Sequence, residues 1–194
     1  MDASKSEKKE ATRRRIVEAA GRSFRKNGFD GIGVDGLAAA AGVTSGAFYV
    51  HFQSKAAVFH EVIKEGLSEL RDGILYFQAE HGENWWREFV TFYLTFKRTC
   101  DLCDSCTLQS LSSEVARADP VLRASFETGL RNVADAVLSG PRSPKAPRDL
   151  NGVISALISL VGAVTLSRSV ESETLAAQIA ECAGKALLGD SWVS

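Results

Sequence analysis

The chain has 194 residues, of which 45% are hydrophobic and 24% are charged, a composition typical of a soluble protein with a packed core. Its net charge of −1 excludes a protein that binds nucleic acid or membranes through overall charge alone. The charge is uneven, because residues 1–55 hold ten basic and six acidic side chains, whereas residues 56–194 hold thirteen and eighteen. Any attraction for phosphate therefore belongs to the N-terminal part.

The first residues, MDASKSEKKEATRRR, contain no apolar run, so we expect no secretory signal and an intracellular protein. In that compartment the four cysteines are expected to be thiols. Residues 1–11 are polar and are predicted to form a mobile arm. A long helix is predicted over residues 13–27, with Thr12 as its N-cap and Ile16 and Phe24 on its apolar side.

The segment VDGLAAAAGVTSGAFYVHF, residues 34–52, predicts two short helices joined by a tight turn. The first helix covers residues 34–41, and Gly42 follows it at a position that favours a positive φ. Thr44 is a suitable N-cap for the second helix, which directs Phe48 inward. A helix-turn-helix of this kind can place its second helix in the major groove of DNA.

Together with its neighbours, this motif resembles the DNA-binding domain of TetR-family transcriptional regulators over Arg13–Lys64. The resemblance rests on the runs RRRIVEAAGRSFRKNGF, AAAAGVTSGAFYVHF and SKAAVFHEVI, in this order and spacing. It departs at Gly33, where the family usually opens the second of its helices with Ser or Thr. It also departs at Ser45, where the family often has Lys, which leaves the sequence preference open. In the remainder, only the helical organisation and the length are similar.

The second helix of the motif and its flanks supply the candidate DNA contacts. Small side chains at its start allow close approach to base edges, while hydroxyl, ring and ammonium donors can reach phosphate oxygens. The resemblance implies phosphate contacts at Thr44, Tyr49, His51 and Lys55. The complete predicted set is Arg14, Thr44, Ser45, Gly46, Ala47, Tyr49, His51 and Lys55.

Helical periodicity continues to the end of the chain and predicts an all-α fold of about nine helices. Further helices are predicted over residues 55–77, 85–98, 106–117, 120–139, 150–167 and 173–188. The resemblance implies a three-helix DNA-binding domain over residues 10–55, with its motif at about 33–52. The remaining residues, 56–192, would then form an effector-binding and dimerisation domain.

The helix predicted over residues 85–98 is aromatic on nearly every side. A helix that is apolar all round is buried or lines a cavity, and a plain aromatic core is the open alternative. The family resemblance favours a pocket for a small apolar or aromatic effector. The predicted lining residues are Trp86, Phe89, Tyr93, Phe96, Leu108 and Phe126.

Cys100, Cys103 and Cys106 form a C-x2-C-x2-C run after that helix. A metal site would need a fourth ligand, which the neighbouring sequence does not readily supply, so no metal or cofactor is predicted. Redox sensing by these thiols remains an alternative, since nearby cations would lower and nearby aspartates would raise their pKa values. Unreactive loop or core thiols are the other reading.

Residues 150–167 carry no charged side chain, which reaches the lower limit for a membrane span. Asn, Ser, Thr and Gly dilute the apolar character, so we predict a buried helix of a soluble protein and no membrane partner. Paired with residues 173–188, this helix is expected to form a four-helix interface in a homodimer. Completion of the monomer core is the alternative.

Together these features predict a non-enzymatic, ligand-responsive regulator in the cytoplasm that binds a pseudo-palindromic operator in double-stranded DNA. A repressor released by its effector is the favoured form. Nucleophile–base pairs and phosphate-binding glycine loops are not evident in the sequence. Two alternatives stay open: an all-helical small-molecule binding protein without specific DNA binding, and a thiol-based redox-sensing regulator.

Overall fold

The computed structural model describes residues 2–192, and within that range every regular element is helical. Nine α-helices are described: α1 (Asp2–Asn27), α2 (Val34–Ala40), α3 (Ser45–His51), α4 (Lys55–His81), α5 (Trp85–Thr99), α6 (Thr107–Ala116), α7 (Pro120–Ser139), α8 (Leu150–Ser169) and α9 (Glu173–Leu188). Short 3₁₀ turns follow α4, α5 and α9. The prediction of an all-α fold with about nine helices is confirmed.

The start of α1 differs most from the predicted elements. Residues 2–11 are helical rather than a mobile arm, and Met1 lies outside the described residues. Thr12 therefore does not cap a helix; its hydroxyl donates to the Lys8 carbonyl at 3.0 Å. The Lys and Glu residues that make this segment polar are also strong helix formers, as are its two Ala residues, so polarity is no argument against a helix.

The predicted turn and capping residues fix the other N-terminal helices. Gly28 and Gly42 have φ values of +74° and +65°, the left-handed conformation expected after a helix. The Thr44 hydroxyl accepts a hydrogen bond from the backbone N–H of Ala47 at 3.1 Å and so caps α3. The Thr44 cap therefore fixes the residue at which α3 begins and the direction in which this short helix leaves the turn.

Helix α4 is the centre of the molecule, since it packs against α1 near its beginning and against α5 and α7 further along. Its inward side chains belong to one continuous hydrophobic core that includes residues of both α1 and α7. At Gly66 it meets α6 so closely that a β-carbon would lie 2.2 Å from the Thr107 hydroxyl oxygen. A displacement of α4 would therefore change its contacts with both α1 and α7.

Helices α8 and α9 pack against each other but leave apolar side chains on the surface. By length and composition alone, α8 could cross a membrane, and only 33% of its most apolar window is buried. The prediction of a buried helix therefore holds on one side only. The exposed apolar side chains of the pair are Leu150, Ile154, Ile158, Leu166 and Leu175, which we call the α8–α9 face.

The chain end folds back onto α9. The Trp192 ring covers Gly184, where a β-carbon would lie 2.2 Å from a ring carbon. Trp192 is itself buried, together with Leu188 of the same helix. The close contact explains why glycine stands at position 184, and it gives Trp192 a structural role that the sequence did not indicate.

Candidate nucleic-acid interface and effector cavity

Helix α3 lies at the surface and is held there by one aromatic side chain. Phe48 is completely buried, and its ring centroid lies 5.9 Å from that of Phe52 and 5.7 Å from that of Tyr49. The helix has seven residues, too few to be stable by itself in water. The buried ring and the Thr44 cap therefore determine which side of the helix faces outward.

The outward side of this helix, which we call the α3 face, consists of Ser45, Gly46, Tyr49 and Val50. Tyr49 is 55% exposed, and Gly46 beside it is also exposed. Ser45 is half-buried, and its hydroxyl donates to the Asp35 carboxylate on α2. Two small residues at the start of the helix leave room for a DNA backbone or base edge to approach.

Val50 was missed among the predicted contacts, because an apolar residue in a short helix is ordinarily assigned to the core. It is 69% exposed, which makes it the most exposed large apolar side chain of α3. A branched apolar side chain in the major groove can contact the methyl group of thymine. The available signal was its spacing of four residues from Gly46, which puts both on one side of a helix.

The other predicted contacts flank the α3 face. Ala47 and His51 are half-buried at its edge, whereas Thr44 and Arg14 are exposed. The His51 Nδ1 atom is buried and has no hydrogen-bond partner among the described residues. Any hydrogen bond from His51 to a phosphate would therefore come from Nε2.

Lys55 is half-buried and is engaged with the protein itself. Its ammonium donates to the carbonyl oxygens of Phe29 at 2.9 Å and Ile32 at 3.3 Å. It also lies 4.2 Å from the Phe29 ring centroid and 4.0 Å from an Asp30 carboxylate oxygen. Lys55 thus holds the loop between α1 and α2 against the start of α4, and its predicted phosphate contact stays a prediction.

Replacing Lys55 tests this structural role. We expect Lys55→Met to lower the free energy of unfolding by about 1–2 kcal/mol, because two loop carbonyls lose their donor. Equilibrium urea unfolding measures the change. Lys64→Met, at an exposed position of the same helix, is the control and should change stability by less than about 0.5 kcal/mol. Equal unfolding free energies for the two variants would show that the Lys55 contacts do not stabilise the fold.

A cavity of about 100 Å³ lies between α4 and α5 and is closed by the segment that leads into α6. Phe89 and Tyr93, two of the predicted effector-binding residues, line it, together with Phe77 and Phe92. The ring centroids of Phe77 and Phe92 are 5.3 Å apart. Aromatic rings therefore form part of the wall, which also includes the polar side chains of Glu69, Lys97 and Thr107.

The remaining predicted effector-binding residues lie elsewhere. Trp86 and Leu108 are buried in the core, and Phe126 is half-buried against it. Phe96 is 50% exposed and stacks on Phe92 with a centroid distance of 5.2 Å. The structure therefore does not bring the six residues together around this cavity.

The three clustered cysteines are thiols in three different environments. The Cys100 sulfur lies 3.2 Å from the Arg168 guanidinium, and the Cys103 sulfur lies 2.8 Å from that of Arg22. Cys106 is buried and lines the aromatic cavity. Among the described residues, no group of three His, Cys, Asp or Glu side chains is arranged to hold a metal ion.

The environment of Cys103 weakens the redox alternative. A hydrogen bond with Asp101 raises the pKa of the Cys103 thiol, and desolvation raises it further, while Arg22 acts in the opposite direction. The net pKa lies above the ordinary value, so the reactive thiolate is scarce at neutral pH. The cation nearest to this sulfur comes from α1 rather than from the neighbouring sequence.

Two arginines of α1 fasten the cysteine-bearing loop to the N-terminal helices. Arg22 forms an ion pair with Asp104 in addition to its contact with Cys103. Arg25 donates from Nε to the Cys103 carbonyl at 2.7 Å and from Nη1 to the Thr107 hydroxyl at 3.3 Å. The segment that closes the cavity is therefore linked directly to α1.

The chain has a helix-turn-helix at its surface, with small residues and an exposed Tyr49 on its second helix, and the rest of the fold is all-α. These features define the class of helix-turn-helix DNA-binding regulators. Residues 16–62 match the family described as bacterial regulatory proteins of the tetR family. The chain therefore carries a DNA-binding domain of the tetR family, and its similarity to known proteins supports a TetR-family transcriptional regulator.

Similar proteins cover much more of the chain than these residues. The transcriptional repressor DhaR of Mycobacterium sp. (strain GP1) is 27% identical over 142 residues, which are 71% of either chain. A solved TetR-family regulator from Agrobacterium tumefaciens has a TM-score of 0.73 at 13% identity, covering 93% of this chain and 99% of its own. AibR, solved with isovaleryl coenzyme A and operator DNA, has a TM-score of 0.63 at 17% identity, covering 92% and 98%. At such identities the structural likeness concerns the fold.

Proposed function

We propose that this DNA-binding regulator is a homodimeric repressor that a small apolar or aromatic effector releases from its operator. Residues 10–55 recognise the DNA, and residues 56–192 bind the effector and form the dimer, in the cytoplasm. The observation that carries the proposal is the α3 face, where Tyr49 and Val50 are exposed beside two small residues. Buried Phe48 and the Thr44 cap give this face a fixed orientation.

A second copy of the chain fits the α8–α9 face. Apolar side chains are exposed along both helices, and a symmetric pairing of the two helices from each copy would bury them in a four-helix interface. The two recognition helices would then enter successive major grooves, about 34–36 Å apart. A pseudo-palindromic operator follows from the twofold symmetry.

Repression and release are supported by the relatives and by the cavity. DhaR is named a repressor, and AibR was crystallised with both an acyl coenzyme A and operator DNA. The cavity between α4 and α5 is much smaller than a coenzyme A thioester, which favours a small effector. An effector that releases DNA must bind the DNA-free form more tightly, and DNA must weaken effector binding by the same factor.

The direct experiment selects a binding duplex from a random library and measures its affinity by fluorescence anisotropy at several salt concentrations. We expect a two-part selected sequence with inverted symmetry and an affinity that falls as salt rises. Binding that depends on neither sequence nor salt would refute specific DNA recognition. It would favour a helical small-molecule binding protein instead.

The contribution of Tyr49 can be separated from protein stability. We expect Tyr49→Ala to weaken binding of the selected duplex about tenfold, because an exposed contact is lost while the core is untouched. Tyr76→Ala removes a similarly exposed tyrosine from α4 and is the matched control, with unchanged duplex affinity. Equal affinities of the two variants would exclude Tyr49 from the interface.

A further inference from the structure

The aromatic cavity contains one polar group that the fold leaves unsatisfied. Tyr93 is 3% exposed, and among the described residues its hydroxyl has no oxygen or nitrogen partner; its one polar neighbour is the Cys106 thiol, a weak acceptor. Buried hydroxyl groups are nearly always paired, so an unpaired one that borders a cavity indicates a missing partner. Three more rings line the cavity, those of Phe77, Phe89 and Phe92, and Glu69 and Lys97 add one charge of each sign.

The Tyr93 hydroxyl is a hydrogen-bond donor at physiological pH. Burial raises the pKa of the phenol well above its ordinary value, and the neighbouring Cys106 thiol raises it further. The phenol therefore keeps its proton, and it can donate to an oxygen atom that enters the cavity. A neutral acceptor is favoured, because the Glu69 carboxylate in the lining opposes an anion and the Lys97 ammonium already donates to the Asp104 carbonyl at 2.8 Å.

The segment that closes the cavity, which includes Ser105, Cys106 and Thr107, is packed tightly against α4. At Gly66 the backbone of α4 is so close to Thr107 that not even a methyl group could be added between them. A ligand that extends towards this contact must therefore displace the first turn of α6 relative to α4. Thr107 also accepts a hydrogen bond from Arg25, so this displacement acts on α1.

We propose that the cavity binds a small neutral ring compound with a single carbonyl-type acceptor, held by the Tyr93 hydroxyl, and that occupancy reaches α1 through Thr107 and Arg25. This inference rests on the proposed repressor function and specifies its effector class and its coupling route. The Arg25 bond to the Cys103 carbonyl adds a second connection, since Arg25 thereby holds both Thr107 and the loop that precedes it.

The ligand part is tested with cyclohexanone and with methylenecyclohexane, which has nearly the same shape but lacks the oxygen. Saturation-transfer NMR titrations give both affinities for the wild-type protein and for Tyr93→Phe. We expect wild-type protein to prefer the ketone, and Tyr93→Phe to lose about fivefold in ketone affinity with unchanged hydrocarbon affinity. No binding of the ketone, or equal ketone affinity in both proteins, would overturn the assignment.

The coupling part uses the selected duplex. Saturating cyclohexanone should weaken wild-type duplex binding about fivefold, within the usual range of allosteric coupling. The Arg25→Met and Thr107→Val variants should still bind the ketone and should still bind the duplex. In both variants, however, the ketone should weaken duplex binding less than it does in the wild-type protein. Thermal unfolding tests whether each variant is folded. If Arg25→Met does not fold, Thr107→Val still tests the route, because it preserves the packing against Gly66. Undiminished coupling in a folded variant would overturn the route.

Failure of the ligand site and failure of the repressor function give different results. A protein that binds cyclohexanone through Tyr93 but binds no selected duplex would refute the repressor function and retain the ligand site. A protein that binds the duplex but is insensitive to the ketone would retain DNA recognition and refute this inference.

Discussion

An Ile158→Asp variant is expected to be a monomer with at least about a hundredfold lower affinity for the selected duplex. Ile158 is 67% exposed near the middle of the α8–α9 face. In the proposed dimer this side chain would be buried against a second copy, where an unpaired carboxylate is strongly unfavourable. Analytical ultracentrifugation measures the oligomeric state, and fluorescence anisotropy measures the affinity.

The large effect on DNA follows from bivalency rather than from any contact with Ile158. When one half of the dimer is bound, the other recognition helix is held near its half-site at a high effective concentration, which contributes about 10²–10⁴ to the overall affinity. A monomer loses this factor completely. Its single α3 face remains intact and should still bind weakly, in a salt-dependent manner.

Val121→Asp is the matched control for this experiment. Val121 is 70% exposed, on α7, and the substitution adds the same charge at an equally exposed apolar position outside the α8–α9 face. This variant should remain a dimer with unchanged duplex affinity. A dimeric Ile158→Asp protein, or a monomeric one with full affinity, would contradict the proposed assembly.

Phe48→Ala is expected to lower the free energy of unfolding by about 3–5 kcal/mol and to abolish specific duplex binding. The ring is completely buried and contacts Phe52, so its loss leaves a cavity under α3. A helix of seven residues has no independent stability that could compensate. Urea unfolding measures the first effect and anisotropy the second.

Phe96→Ala is the control, because this ring is half exposed and should contribute less than about 1 kcal/mol. The comparison with Tyr49→Ala is also informative, since of these two neighbours on one helix Phe48 is buried and Tyr49 is exposed. Phe48→Ala should act through the fold, whereas Tyr49→Ala should act on binding with normal stability. Normal stability of Phe48→Ala would mean that α3 is positioned by other contacts.

The helix-turn-helix could be predicted because its signals are local. Thr44 and Gly42 each demand a particular backbone conformation, and the structure has a cap at one and a positive φ at the other. The same holds for α7, which begins at Pro120 with Asp119 as its cap, as its sequence indicates. Local backbone chemistry of this kind is readable without knowing which surfaces pack together.

The candidate effector cavity could be predicted only in part, because periodicity does not show which side of an aromatic helix borders a cavity. Tyr93 lines the cavity, whereas Phe96, three residues further on, is half exposed. Lys55 illustrates the same limit, since its loop carbonyl partners are more than twenty residues away in sequence. Such assignments depend on tertiary contacts that no local pattern contains.

The ring of Trp192 on Gly184 restricts how two subunits of the proposed dimer can meet. That side of α9 is already occupied by the chain's own C-terminal turn, so a neighbouring subunit has no access to it. The symmetry axis must run past the opposite side of the helix, where Leu175 and Cys182 are exposed. Cys182 is the exposed cysteine on that side, so the reach of a bifunctional thiol crosslinker attached there would report the spacing of the subunits.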